Sequence, residues 1–258
     1  MTKISATIIT FNEERNIERC LQSLQGVADE IIVVDSFSTD RTCEVVKKMG
    51  GRCVQHVFEG YIEQKNFALS EAEHDFVLSL DADEVLSGTL KESILKEKAA
   101  GFPFSGYKMN RLTFIGDQPV QCCGWYPDRK MRLFDRSKGS WAGFNPHDEF
   151  RFHGSETGKQ LDGNLLHYSF ASVAALRLQT RKFAEISAEA YANRNKKIAP
   201  LASVLSPAFR FVRDYFFKNG FLCGKLGFSV AYYNALGTRI KYKQLKKIKK
   251  SRNQARNK

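Results

Sequence analysis

Residues 78–86 read LSLDADEVL, a short apolar run that ends in three carboxylates, Asp81, Asp83 and Glu84. Carboxylates two positions apart at a strand end can aim oxygens into one place. That suits Mg2+ or Mn2+ bridging a diphosphate, since the ion offsets charge that phosphate and carboxylate would not tolerate together. A solvated turn that caps the next helix uses the same residue types. Calcium binding of the EF-hand type fails, because Val85 and Leu86 stand where a ligand and a glycine are required. A phosphatase with an Asp-x-Asp nucleophile carries it on the first strand and needs a later acidic pair. A nucleotidyltransferase needs a Gly- and Arg/Lys-rich loop near the N-terminus, where this chain reads TIITFNEERN.

The elements that must position these carboxylates are legible as an alternation. Residues 5–10, 30–35, 52–57 and 75–80 are short β-branched or apolar runs that predict strands. Between them, residues 12–25, 40–49 and 61–72 predict helices, with Ser38 or Thr39 as a cap for the second. Alternating strands and helices imply an α/β fold with a mostly parallel sheet and flanking helices. In such sheets ligands bind beyond the carboxyl ends of the strands. Thr10, Asn12, Asp35, Asp81 and Asp83 all fall at that edge. Later, 89–98 predicts a helix, 106–116 and 129–134 predict strands, and the chain from 172 onward is mostly helical.

With 258 residues, 43% of them hydrophobic, the chain can bury one sizeable core and a smaller appended region. Its net charge of +12 is concentrated: residues 239–258 hold ten Lys or Arg and no acid, which leaves about +2 for the rest. A nucleic-acid-binding protein would spread basic residues over a groove, so the tail alone keeps that reading open. The N-terminal apolar stretch is too short for a signal peptide, and no stretch reaches the roughly 18–20 apolar residues that span a bilayer. The six cysteines lack paired spacing, so they are expected to be reduced thiols of a cytoplasmic protein; the adjacent Cys122 and Cys123 are the exception to test for metal or redox chemistry.

The segments TIITFNEERNIERCLQSL, DEIIVVDSFSTDRT, the Lys65–Asn66 pair and LSLDADE, in this order, resemble family 2 glycosyltransferases of the GT-A fold. GWYPDRKMRLF, NPHDEF and LLHYSF resemble the branch that includes lipopolysaccharide core β-glucosyltransferases and extend the likeness, less specifically, to about residue 170 and into the KNGFLCGKLGF segment. The resemblance implies a glycosyltransferase domain over 1–170, with a nucleotide-sugar half (1–86) and an acceptor half (87–170). A helical, aromatic and basic region over 171–258, ending in a disordered tail, would follow.

On that resemblance Thr10, Asn12 and Glu13 line a uridine pocket, Asp35 bonds the base or ribose, and Asp81 bonds the ribose or a metal-bound water. Asp83 is the metal ligand, with Asp81 in its company, for Mn2+ or Mg2+. Lys65 would contact phosphate or ribose. Inverting transfer of a hexose, such as glucose, from a UDP-sugar needs a base on the acceptor side. NPHDEF offers Asp148, with Glu149 and His147 beside it, where the branch commonly reads His-Glu. His147 and His167 are further candidate metal ligands. Arg129 and Arg132 are expected to face the diphosphate or an anionic acceptor, and Trp125 and Tyr126 to stack on a sugar or pack in a core. A bacterial surface glycolipid acceptor is implied, and the basic end would then touch the anionic cytoplasmic face of the inner membrane.

Overall fold

The computed structural model describes residues 2–144, 147–194 and 201–256. It divides into two units: residues 1–112 with 127–168, and residues 113–126 with 169–258.

The first unit opens with β1 (Ile4–Thr10), α1 (Ile17–Leu24), β2 (Glu30–Asp35), α2 (Thr42–Lys48), β3 (Arg52–Gln55), α3 (Tyr61–Ser70) and β4 (Phe76–Asp81). These four strands pair in parallel in the order β3-β2-β1-β4. β5 (Glu84–Leu86) follows at once, then α4 (Gly88–Ala99), capped by the Ser87 hydroxyl. β6 (Gly106–Ile115) comes next; its last three residues, and β7 (Gln118–Pro119), which pairs with them, fall in the second unit. β8 (Asp128–Asp135), the hairpin β9 (Gly139–Phe144) and β10 (His147–Phe152), and β11 (Gly158–Phe170) complete the strands. Antiparallel β8 continues the sheet beyond β4, followed by β6, β11 and β5. This is the α/β architecture that the alternation implies, with flanking helices and a helical C-terminal region.

The parallel strands β1, β2 and β4 are largely buried because both sides of the sheet are covered there, whereas edge strand β3 is exposed at Arg52 and Gln55. Successive residues of β2 alternate between two cores. Val33 packs with Ile8, Ile17, Leu21, Val46, Leu90 and Leu133 on the face of α1, α2 and α4. Ile32 and Val34 pack with Ala68, Leu69, Val77, Phe134, Trp141 and Phe150 on the face of α3. Gly163 of β11 has φ +92°, and a Cβ there would stand 2.4 Å from the Leu90 amide nitrogen. Only glycine lets β11 pass so close to the start of α4.

The second unit contains α5 (Val173–Asn193), α6 (Ala202–Val212), a π-helical turn (Arg213–Phe217), a 3-10 turn (Gly220–Cys223) and α7 (Gly224–Arg256). Its core joins Ile115, Val120, Cys122, Cys123 and Leu176 to Val230 and Ala231. Trp125 packs against this core beside Phe170. Cys122 and Cys123 are buried free thiols. The basic stretch expected to be a disordered tail is helical as far as Arg256. Lys, Arg and Gln are strong helix formers, and Leu245 is fully buried against Ala188 and Ala192 of α5, which anchors the helix.

Candidate functional site

At the carboxyl edge of the sheet, register alone gathers the site. Thr10 lies opposite Asp35, and Ile9 opposite Asp81, so the ends of β1, β2 and β4 coincide. The loops after β1 and β2 clasp each other. The Asn12 amide donates to Ser38 Oγ at 2.8 Å, and the Thr39 amide donates back to Asn12 Oδ1 at 2.8 Å. Ser38 in turn donates its amide (2.9 Å) and its hydroxyl to the fully buried Asp35 carboxylate. Asn12 and Phe37 both sit in the left-handed region, at φ 55° and 62°. Asn adopts this region readily, whereas Phe37 is held there by the loop around it.

Two local expectations change as a result. The first helix begins at Ile17, so Asn12 is a loop clasp and not a helix start. The second begins at Thr42, and Asp40, not Ser38 or Thr39, accepts from the Thr42 amide at 3.0 Å. Glu13 lies beside this clasp. Its amide donates to Thr42 Oγ1 at 2.9 Å, while burial raises its carboxyl pKa against the hydrogen bond from Asn16. The Thr10 hydroxyl is buried with no hydrogen-bond partner among the described residues, an acceptor or donor left for a ligand.

The three carboxylates of LDADE part company. Asp81 sits 3.2 Å from Lys65 Nζ and accepts from Arg132 at 2.9 Å. Burial alone would raise its pKa, but Lys65 and Arg132 outweigh that and hold its carboxyl well below the usual carboxylate range. Glu84 is fully buried; it accepts from the Asp81 amide at 3.0 Å and from Arg132 at 2.7 Å. Arg111 flanks Glu84 at 3.5 Å and donates to Asp128 at 2.7 Å. Asp83 faces His167, whose Nε2 lies 3.2 Å from its Oδ2. The antiparallel pairing of β11 with β5 puts His167 opposite Glu84 and so beside Asp83. Burial would lower the His167 pKa, yet the Asp83 carboxylate raises it on balance.

The Lys65–Asn66 pair ties the β9–β10 hairpin to this edge. Asn66 clamps the backbone of Trp141, donating to its carbonyl and accepting from its amide, both at 2.9 Å. Lys65, 3% exposed, lies over the Trp141 ring at 4.5 Å and donates to Asp148 Oδ2 at 2.7 Å. Alternation along β10 turns Asp148 inward and Glu149 outward, where Glu149 pairs with Arg151 at 2.7 Å. His147 begins β10, and its side chain lies outside what the structure describes.

The structure therefore brings together Asp81, Lys65, Arg132 and Asp148, places Asp83 with His167, and gathers Thr10, Asn12, Glu13 and Asp35 at the neighbouring strand ends. Glu149 stands apart. Arg111, Asp128 and Trp141 complete the cluster and were not singled out in the sequence. Arg111 and Asp128 are register partners on β6 and β8, a relation that sequence spacing does not display. Five carboxylates (Asp81, Asp83, Glu84, Asp128 and Asp148) face four permanent cations (Lys65, Arg111, Lys130 and Arg132), each already engaged. Lys65 is committed to Asp81 and Asp148, and Arg132 to Asp81 and Glu84.

The donor set for a divalent ion is small. Among the described residues no group of three or more His, Cys, Asp or Glu side chains converges on one point. Asp83 and His167 do offer an oxygen and a nitrogen 3.2 Å apart, close to the ~3 Å that separates neighbouring ligands of a six-coordinate ion with ~2.1 Å bonds. They fit an ion that draws its remaining ligands from a diphosphate and water.

Comparison with known proteins gives the family. Residues 5–110 match the family model described as glycosyl transferase family 2. An uncharacterized glycosyltransferase of Rickettsia prowazekii (strain Madrid E) is 30% identical over 247 residues, covering 88% of this chain and 81% of that protein. The lipopolysaccharide core biosynthesis glycosyltransferase LpsC of Rhizobium meliloti (strain 1021) is 29% identical over 243 residues, covering 90% and 88%. A crystal structure of glucosyl-3-phosphoglycerate synthase from Mycobacterium tuberculosis shares 26% identity over 44% of this chain and 43% of that one, at a TM-score of 0.36, too slight a likeness to bear on the site. With the family model spanning the clasped loops and LDADE, and relatives aligned over most of the chain, this protein belongs to glycosyltransferase family 2.

Proposed function

We propose that the chain is an inverting hexosyltransferase that moves a sugar, in the first instance glucose, from a UDP-sugar to a bacterial surface glycolipid of the lipopolysaccharide core type. The observation that carries this reading is the position of Asp148. It is held at 2.7 Å by a lysine that also meets Asp81, so an acceptor-side carboxylate and the nucleotide edge share one tie.

In this reading the clasped loops hold the uracil and ribose, with Asp35 rigid between two Ser38 hydrogen bonds and the Thr10 hydroxyl open to the ligand. Asp83 and His167 would hold Mn2+ or Mg2+, which supplies charge neutralisation to the departing diphosphate. The cluster needs that charge from outside, because its own cations are engaged by its carboxylates. Asp148 takes the proton from the acceptor hydroxyl as that oxygen attacks the anomeric carbon from the face opposite the leaving UDP. Lys65 and Trp141 fix the carboxylate, so the oxygen that Lys65 does not hold is oriented for the task. Glu149, exposed and paired with Arg151, is the weaker choice of base. Contact with an anionic membrane surface at the cytoplasmic face of the inner membrane belongs to the same reading, with the Lys and Arg residues after position 239 near headgroups.

The test is donor turnover. Purified protein is given UDP-glucose, UDP-galactose or UDP-N-acetylglucosamine with Mn2+ and a truncated lipopolysaccharide core acceptor, and UDP release and acceptor mass are followed. A hexose-sized mass gain that needs the divalent ion is expected. No turnover of any of the three donors, or release of inorganic phosphate in place of UDP, would replace this reading with another.

A further inference from the structure

The second unit exposes an apolar face that its own core does not use. No residue of α6 is buried, although most of its sequence is apolar. Leu201, Val204, Leu205 and Phe209 fall at positions i, i+3, i+4 and i+8, one helical face, and are 59–68% exposed. After the π-helical turn the same unit exposes Phe217 at 79% and Leu222 at 70%. Large apolar side chains exposed together mark an interaction surface.

The charge around them is one-sided. Residues 201–258 contain fourteen Lys or Arg and a single acid, Asp214. That acid is fully buried and accepts from Arg210 at 2.7 Å, Arg213 at 2.7 Å and Asn234 at 2.9 Å. No carboxylate of this segment is therefore left to face a partner. Among the described residues no helix is long and apolar enough to cross a membrane.

We propose that the face from Leu201 to Leu222 inserts into the interfacial layer of an anionic phospholipid bilayer, with the lysines and arginines of the segment at the headgroups. Apolar side chains flanked by cations, on helices that do not span, have the chemistry of interfacial binding. A second copy of the chain is the poorer occupant, because it would bring the same uncompensated positive segment against itself. The inference deepens the membrane contact of the proposed function by naming an apolar anchor separate from the basic tail. It involves no residue of the sugar-transfer site.

The test uses the full-length chain without donor or acceptor, so its failure is distinct from failure of the transferase reading. Flotation is measured with phosphatidylglycerol-containing vesicles and with pure phosphatidylcholine vesicles, at low and high salt. Wild type is expected to bind the anionic vesicles and to keep part of that binding at high salt, where exposed charges are screened. The triple variant Phe209→Ser, Phe217→Ser, Leu222→Ser should lose binding by about tenfold or more with its melting temperature unchanged. Replacing Lys246, Lys247, Lys249 and Lys250 by Gln should remove only the salt-sensitive part. In Phe217→Trp, indole emission should shift to shorter wavelength when vesicles are added, a readout that needs no destabilising change. Triple-variant binding equal to wild type, absence of wild-type binding, or unshifted Phe217→Trp emission each overturns the proposal. So does a vesicle-free dimer that the triple variant abolishes, which would assign the face to a second copy.

Discussion

Lys65 shows at the scale of one residue what the site costs and what it gains. A buried ammonium is expensive, and here two carboxylates and an aromatic ring offset the expense. Lys65→Met removes the cation and leaves Asp81 and Asp148 without their shared partner. We expect a loss of about 3–5 kcal/mol in denaturant unfolding, with transfer reduced further than stability accounts for. An unfolding midpoint equal to wild type would mean that the tie does not form in solution. The two acids of NPHDEF separate by the same reasoning. Asp148→Asn should keep UDP-sugar affinity and lower the transfer rate by about 10²–10⁴-fold, whereas Glu149→Gln, on the exposed side of β10, should stay within about twofold of wild type. Initial rates at saturating donor decide between them, and the opposite ranking would move the base to Glu149.

Among the elements, the hairpin β9–β10 is the piece that Asn66 holds. Asn66→Ala leaves the Trp141 amide and carbonyl without their partner, at a cost of about 1–3 kcal/mol, and amide exchange should quicken across Gly139–Phe152 before it quickens in β1 or β4. Uniform exchange across both would show that the clamp is not local. A second tie joins α4 to the other end of the sheet, where Asp29 accepts from Lys98 at 2.6 Å and from the Ile4 amide at 2.8 Å. Partial burial would raise the Asp29 pKa, but these two hydrogen bonds lower it on balance. A lowered folded-state pKa gives stability that is present above the unfolded value and lost as pH falls through the folded value. Asp29→Asn should therefore cost about 1 kcal/mol at neutral pH and almost nothing at strongly acid pH, as read by thermal unfolding across pH.

Which elements exist was legible because hydrophobic periodicity reports burial directly. EIIVVD is apolar on both faces because both faces of β2 are covered, and the pattern announces it. Asp81, Asp83 and Asp35 were legible as strand-end acids for the same reason. The partners of those acids were hidden, because they arrive through register. Arg111 reaches Asp128 across the β6–β8 pairing, and His167 reaches Asp83 through β11 and β5. The short β-strand Glu84–Leu86 was also hidden, since three residues carry too little periodicity to separate a strand from a helix cap.

At the scale of the whole molecule, chemistry and charge are segregated by unit. The carboxylate cluster and the clasped loops belong entirely to the first unit, while residues 201–258 of the second hold fourteen of the forty Lys and Arg and only one of the twenty-eight acids. Neutralising the four lysines between 246 and 250 should consequently leave transfer to a soluble acceptor unchanged while weakening attachment to anionic vesicles. A fall in soluble-acceptor turnover would show that the basic helix also serves the reaction.

In the proposed function, Asp83 and His167 hold a divalent ion for a uridine diphosphate at the carboxyl edge of the sheet. The most direct measurement is thermal unfolding of wild type, Asp83→Ala and His167→Ala with UDP and with UDP-glucose, each with and without Mn2+. Ligand at about 100 times its dissociation constant adds roughly 2.7 kcal/mol, a rise of about 2–4 °C for a chain of this size. A Mn2+-dependent rise in wild type, abolished in Asp83→Ala and reduced in His167→Ala, is expected. A rise of equal size in all three proteins, or one that ignores Mn2+, would contradict it.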